Sequence, residues 1–118
     1  MNGPVATALA GSPALRERFE VFRSAAHEAL GAELTAQVER VVAQVHGLRP
    51  EMQDGIDSAA LAYARRIPFE HTAITDAEAA AVVAELGEAR FVAFSVVAAL
   101  ADAECRAEKV GLQSLVAG

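Results

Sequence analysis

The chain has 118 residues, a formal net charge of −6 and 53% apolar residues, which indicates one globular domain with a real core. It lacks the basic patch typical of nucleic-acid binders, since its only adjacent basic pair is Arg65-Arg66. The longest apolar run, from Phe91 to Ala101, is well short of the roughly 20 residues that span a bilayer. We therefore expect neither a nucleic acid nor a membrane as a partner.

Cysteine and alanine usage narrow the class of protein further. Cys105 is the only cysteine, which excludes an internal disulfide and a Cys-rich zinc site and favours a reducing cytoplasm. His-x-x-x-His and Glu-x-x-His spacings are absent, so we expect neither a metal nor another cofactor. Much of the apolar content is alanine, whose small side chain buries little area. We therefore expect a homo-oligomer, in which subunit association completes the stability.

The first predicted helix follows an N-terminal segment, residues 1–12, that we expect to be a flexible tail. Residues 13–118 are then one helical domain. Ser12-Pro13 is a typical helix start, with serine as the cap and proline at the first helical position. The helix should end at Leu30, before Gly31. Its apolar residues share one face: Leu15, Phe19, Phe22, Ala26 and Leu30.

Two further helices are predicted in the middle of the chain. The second should begin near Thr35 and end between Val45 and Gly47, with apolar residues in a 3-4 alternation: Leu34, Val38, Val41, Val42 and Val45. The third segment should open at Pro50, with Gly55 weakening its first turn, and its apolar face should run from Ile56 to Ile67. We expect Pro68 to end this helix because the residue before a proline avoids the helical region.

The last two predicted helices are separated by Gly87. Thr75-Asp76-Ala77-Glu78 has the pattern of a capping box, and the fourth helix should run from there to about Leu86. The fifth should run from Glu88 to about Val110. It is apolar almost all round from Phe91 to Ala101, which is typical of a central or interface helix. Sustained period-two alternation is absent, so the sequence predicts an all-α fold of about five helices.

Two stretches resemble known sequences. The first is Val41–Gly47, a helix that runs into a His-Gly turn. The second contains Ala59–Pro68, Ile74–Glu78 and the apolar start of the last helix from Phe91. Together they are similar to the carboxymuconolactone decarboxylase and AhpD-like alkylhydroperoxidase family. The resemblance implies an all-α fold that assembles as trimers or hexamers. Peroxidase members of that family use a Cys-x-x-Cys pair at a helix start, where the thiol pKa is lowered.

The reactive positions of the family are not matched by this chain. The two cysteine positions fall on Leu48 and Glu51, the histidine position on Gly55 and the upstream glutamate position on Ala36. A single cysteine far along the chain cannot form the vicinal disulfide of the peroxidase cycle. The resemblance therefore implies a member without the usual redox chemistry.

Four residues are candidates for the remaining chemistry. His46 and Glu51 are the candidate catalytic residues, as a general acid/base pair beside the former redox position. Arg49 and Tyr63 are the candidate ligand-binding residues. Each also has a structural interpretation: His46 as a helix C-terminal histidine, Glu51 and Arg49 as solvated charges, and Tyr63 as a core tyrosine.

Three functions stay open at this point. The leading hypothesis is an AhpD-like protein without peroxidase activity that acts as a binding or structural module. The alternative is a cofactor-free decarboxylase-type enzyme that acts on a small carboxylate substrate through His46, Arg49 and Glu51. The third is a helical subunit that pairs with a cysteine-containing paralogue in a mixed oligomer.

Overall fold

Every regular element in the computed structural model, which describes residues 3–48 and 58–117, is helical. The α-helices are α1 (Pro4–Ala8), α2 (Pro13–Leu30), α3 (Ala32–Val45), α4 (Ala59–Glu70), α5 (Asp76–Leu86), α6 (Glu88–Val110) and α7 (Leu112–Ala117), with 3-10 turns at Leu9–Gly11 and His71–Ala73. The predicted all-α fold is confirmed, and the five helices of 11 to 23 residues agree with the predicted number. None of these helices combines the length and apolarity needed to cross a membrane.

Helix α6 is the centre of the fold. It packs against each of the other six helices, as its apolar circumference predicted. Phe94, Val97 and Ala98 are fully buried and meet the buried stripe of α3, Val38, Val41 and Val42. These buried side chains form the centre of the hydrophobic core, and α6 serves as the common core element for its neighbours.

Single glycines join two pairs of helices end to end. Gly87 (φ 85°, ψ 159°) ends α5 and begins α6, and Gly31 (φ 102°, ψ 145°) does the same between α2 and α3. These torsions lie in a region that side chains with a Cβ rarely enter. Arg90 adds a cap to the Gly31 junction by donating from Nη2 to the Leu30 carbonyl at 2.7 Å.

Of the two predicted helix N-caps, Thr75 makes its capping hydrogen bond and Ser12 does not. Thr75 and Glu78 form both hydrogen bonds of the capping box, so that prediction is confirmed. Ser12 lies at the start of α2, but its side chain makes no capping hydrogen bond, contrary to the expectation. The φ of −132° and ψ of 75° at Ser12 differ from the extended geometry that turns a cap oxygen toward the first free N–H groups.

Pro68 does not end α4, which continues to Glu70, so that prediction is wrong. The proline is fully buried within the helix, and Nη2 of Arg106 donates to its carbonyl oxygen. This carbonyl is one of the last four of the helix, which lack a partner within it. The tertiary contacts therefore offset the local bias against helix before a proline.

The N-terminal residues also differ from the expected flexible tail. They form α1, where Ala6 is fully buried and the helix packs against α6 and α7. By contrast, α2 from its start to Phe22 is less buried than its pattern predicted. Ala26 and Leu30 are in the core, whereas Leu15 and Phe22 are more than half exposed. A third exposed apolar residue, Val21, lies beside Phe22.

Candidate functional site

His46 lies in the C-terminal turn of α3, and its position has a local cause. Leu48 N–H donates to the Ala43 carbonyl at 2.9 Å and Gly47 N–H donates to the Gln44 carbonyl at 3.0 Å. This bond pair is a Schellman motif, which requires a left-handed residue at the Gly47 position, where φ is 76°. The His-Gly-Leu sequence is thus explained as a helix stop.

Both ring nitrogens of His46 have partners on α6. Nε2 lies 2.6 Å from Oδ1 of Asp102, and Nδ1 lies 3.3 Å from Nζ of Lys109. An ammonium group can only donate, so Nδ1 accepts from Lys109 and the Nε2 hydrogen is donated to Asp102. This network assigns one neutral tautomer to the imidazole.

The side chains around His46 and Asp102 hold the C-terminal ends of α3 and α4 against α6. Nε of Arg106 lies 3.1 Å from both oxygens of Asp102, and its other end reaches the Pro68 carbonyl. The Phe69 ring packs edge-on against His46, with centroids 5.0 Å apart. Arg106 and Lys109 both lie within about 5.5 Å of the Phe69 centroid. Cations beside two helix C-termini are favourable because those ends carry partial negative charge.

This arrangement suits a structural tie better than acid–base chemistry. The side chain of His46 is only 1% exposed, and each of its nitrogens is already hydrogen-bonded. A general base needs a nitrogen that can reach a substrate proton. The described geometry gives His46 the role of joining three helices.

Of the other three predicted site residues, only Tyr63 lies within the described residues. Tyr63 packs edge-on against Phe91 and Phe94, with centroid distances of 6.0 and 5.7 Å, within the core cluster. Arg49 and Glu51 lie outside the described residues. Leu48 packs against the same hydrophobic core.

A cleft of about 400 Å³ lies elsewhere, where α1, α2, α3 and α6 meet. Its apolar surface comes from small side chains and from the buried Cys105. Its charged residues come from three helices. The lining consists of Gly3, Pro4, Arg23, Ala36, Glu39, Arg40, Ala43, Ala101, Glu104, Cys105 and Glu108. The volume is within the range of small-molecule sites.

The charges of the cleft fall into two groups. On one side, Arg23 Nη2 lies 3.5 Å from Oε2 of Glu39, and His27 Nε2 lies 3.9 Å from the same oxygen. Burial, followed by the charge of Arg23, lowers the pKa of His27, and Glu39 opposes this effect. His27 is therefore biased toward its neutral form, in which the Glu39 contact is not an ion pair.

On the other side, Glu104 accepts a hydrogen bond from the backbone of Val5 in α1. Burial raises the pKa of Glu104 above its ordinary value, although that bond and the charge of Arg23 act the other way. The Glu104 carboxylate is close to the chain start, since a Cβ on Gly3 would lie 2.5 Å from its Oε2. Glu104 therefore ties α1 to the edge of the cleft.

Arg40 is the residue of this cleft that sequence reasoning missed. Its Nε is buried and has no hydrogen-bond partner within residues 3–48 and 58–117. The sequence shows only an arginine next to Glu39 in an amphipathic helix, a pattern typical of a solvated face. Nothing in that pattern predicts that Glu104 and Cys105, far along the chain, lie across the same cleft.

Metal chemistry receives no support from the described ranges, since they contain no group of three or more His, Cys, Asp or Glu side chains that could hold a metal ion. Comparison with protein-family models, with curated proteins and with solved structures finds no match to this chain.

Proposed function

We propose that this protein is a non-peroxidase binding module that holds a small molecule in the cleft between α1, α2, α3 and α6. The observation that carries the proposal is the cleft itself, about 400 Å³ with an apolar lining and charged residues from three helices. Sites for small ligands are concave and largely apolar, with a few polar groups that orient the ligand. The cleft has this composition.

The absence of peroxidase activity in this proposal is based on thiol chemistry. A dithiol cycle needs two cysteines, and the chain has one. Cys105 is buried, with Glu104 beside it in the chain and in the cleft lining. A neighbouring carboxylate disfavours the thiolate that such chemistry requires.

The experiment is a two-part binding and activity assay. A chemically diverse fragment library is screened by two-dimensional amide NMR, and we expect shifts confined to residues that line the cleft. Hydroperoxide reduction with a dithiol donor should stay at the level of the C105S variant. Robust turnover that C105S abolishes, or a complete lack of cleft shifts across the library, would contradict the proposal.

The decarboxylase alternative has less support from the described residues. It depends on His46, whose nitrogens are occupied by Asp102 and Lys109, and on Arg49 and Glu51, which lie outside the described ranges. An observation in its favour is that His46 does meet a basic group in a water-excluded position, which such a site requires. Opening of the Lys109 contact would be needed before His46 could act on a substrate.

We further propose the AhpD-like scaffold as the origin of this fold and the cytoplasm as its compartment. The helix order supports the first point: α3 ends at the His46-Gly47 turn, the capping box at Thr75 starts α5, and a long apolar α6 closes the bundle. The single cysteine supports the second. A trimer or hexamer is what the family resemblance implies for the assembly.

The homo-oligomer proposal receives specific support from the outer surface of α2, formed by Ala14, Glu17, Arg18, Val21, Phe22 and Ala25. Val21 is 64% exposed and Phe22 is 54% exposed, and the surface carries one charge of each sign. Two antiparallel copies of α2 could set Glu17 of one copy against Arg18 of the other, twice. Such self-complementarity is what an isologous contact about a two-fold axis requires. Of the two assemblies proposed above, the hexamer has two-fold axes when two trimers stack face to face, whereas a single trimer has none.

Sedimentation velocity tests this contact with a matched pair of variants. V21E should dissociate the oligomer because it places a charge in the α2 surface. V92E is the control, since Val92 is 62% exposed but lies on α6. A wild-type protein that sediments as a monomer at all concentrations would refute the homo-oligomer proposal, and equal effects of V21E and V92E would refute the α2 surface as its site.

A further inference from the structure

Helix α1 is attached to the edge of the bundle and not to its centre. Ala6 is its only buried residue and, among the described residues, it lies outside the hydrophobic core cluster, which does contain Cys105. Val5 and Leu9, nearby in the chain, are only partly buried. A helix of five residues is too short to be stable by itself. Contacts of small area therefore hold α1 in place.

The connection from α1 to α2 leaves α1 able to move as a unit. Residues 10–15 are all exposed, and a Cβ on Gly11 would meet no atom within 4 Å. The chain between the two helices is therefore not fixed by packing. Helix α7 packs on α1 and α6 and follows Gly111, which is in a left-handed conformation. Helices α1 and α7 thus form a peripheral layer on α6.

A polar contact ties α1 to the opposite wall of the cleft. The backbone N–H of Val5 donates to the Glu104 carboxylate. Gly3, the residue before α1, and Pro4 line the cleft on the α1 side, and Glu104 and Cys105 are adjacent in its α6 wall. Cys105 is only 7% exposed. Displacement of α1 would remove one wall of the cleft and uncover the Cys105 thiol.

We propose that α1 is a strap that opens and closes the cleft by local unfolding, while the core around α6 stays folded. This inference rests on the proposed binding function for its purpose, because the strap would control entry of the ligand. A segment with few buried apolar contacts opens at a lower cost in free energy than the whole domain unfolds. The side chains of Ala6 and Glu104 hold the closed position, and both contacts are lost when α1 leaves α6.

The first experiment measures how fast Cys105 of the wild-type protein reacts with iodoacetamide, followed by mass spectrometry. The chain has one cysteine, so one labelled product forms. Local opening exposes little surface, and the rate should therefore change less than about twofold across urea concentrations below the unfolding transition. Exposure through global unfolding would instead raise the rate by about tenfold per molar urea, because the urea dependence scales with the surface exposed.

The second experiment displaces α1 with a variant. A6E should raise the labelling rate about tenfold or more, because a carboxylate is costly at a fully buried position. The added negative charge by itself disfavours the thiolate, so it cannot account for an increase. A10E, the same change at an exposed residue of the same segment, should leave the rate unchanged. T75A weakens the capping box of α5 and should also leave it unchanged.

Three results would overturn the strap. The first is a wild-type rate equal to that of the chain unfolded in urea, since the cleft would then be permanently open. The second is a T75A rate about fivefold above wild type, since Cys105 would then be exposed by global unfolding. The third is an A6E rate no higher than that of A10E. If A6E lacks a cooperative thermal melt, the urea series and T75A decide. Failure of the whole fragment library would instead remove the binding function and leave the strap standing, because labelling needs no ligand.

Discussion

Replacement of Gly87 by alanine tests how the bundle is organised, because this single residue is both the end of α5 and the start of α6. Its φ of 85° and ψ of 159° lie in a region that is essentially restricted to glycine, where other residues cost about 1–3 kcal/mol. A Cβ at this position would meet no atom within 4 Å. The cost of Gly87→Ala is therefore backbone strain alone.

The magnitude follows from two opposing terms. Alanine has fewer unfolded conformations than glycine, which stabilises the folded state by about 0.4–1 kcal/mol, so the net loss should be about 1–2 kcal/mol. For a domain of this length, 1 kcal/mol corresponds to roughly 4 °C in Tm. Gly87→Ala should lower the midpoint of thermal unfolding, followed by circular dichroism at 222 nm, by about 4–8 °C.

Two glycines serve as matched controls. Gly11 also has nothing within 4 Å of an added Cβ, but it is not among the positive-φ glycines, so Gly11→Ala should be neutral or slightly stabilising. Gly111 has φ 66° and ψ 41°, a left-handed conformation that asparagine tolerates. Gly111→Asn should therefore cost little, whereas Gly87→Asn should cost as much as Gly87→Ala.

The reasoning would be refuted by a Gly87→Ala protein that melts with the wild type. It would also be refuted if Gly11→Ala and Gly87→Ala lost the same stability, because the loss would then reflect alanine itself and not the torsions at the junction. A Gly87→Asn protein with the wild-type Tm would show that ψ at Gly87 can change without loss of stability.

The remaining predictions concern the core, the helix caps and the charged clusters. Phe94→Ala should cost about 3–5 kcal/mol in urea unfolding, because the ring is fully buried; a cost below about 1 kcal/mol would contradict its central position. Thr75→Ala should cost about 1 kcal/mol by loss of the capping box, checked by the same melt. Asp102→Ala should cost about 1–3 kcal/mol by leaving His46 Nε2 without an acceptor, whereas a His46→Ala/Asp102→Ala double variant should lose less than the sum of the single losses. Burial raises the pKa of Glu104, so the folded chain holds that proton more tightly than the unfolded chain. The wild-type free energy of unfolding should then fall as pH rises from the ordinary glutamate range through the raised pKa, and E104Q should lack that slope; parallel pH profiles would contradict it.

Local signals in the sequence predicted the elements well where the chain itself supplies the cause. The bounds Pro13–Leu30 and Glu88–Val110 agree with the predicted helices, because proline and glycine act through their own torsions. The Thr75 capping box also depends on residues three positions apart. Such effects operate within one turn of helix and need no tertiary partner.

The predictions that were wrong concern features that depend on contacts between segments far apart in the chain. The continuation of α4 past Pro68 depends on Arg106, which is 38 residues away. The helix at Pro4–Ala8 packs on α6 and α7, and Leu15 and Phe22 are more than half exposed although they lie on the predicted apolar face of α2. A hydrophobic pattern predicts which face of a helix is apolar, but it does not predict which part of that face another helix covers.

In the candidate site, too, local sequence explains some features and only tertiary contacts explain the others. The sequence drew attention to His46 because the residue precedes a helix-ending glycine, and the structure supplies Asp102 and Lys109 as partners that occupy both of its nitrogens. The cleft was not predicted, because its walls come from residues near positions 3, 40 and 105. Spacing along the chain carries no information about such an encounter.

By itself, the sequence determined an all-α chain, the torsional stops between its helices and the lack of a second cysteine for a disulfide within the chain, because each follows from the residues present and their nearest neighbours. Only the tertiary structure decided that His46 is held as a tie between helices and that Arg40 faces a cleft shared with Glu104. The physical reason is that burial and charge pairing depend on distances between segments far apart in the chain, which the packing around α6 sets.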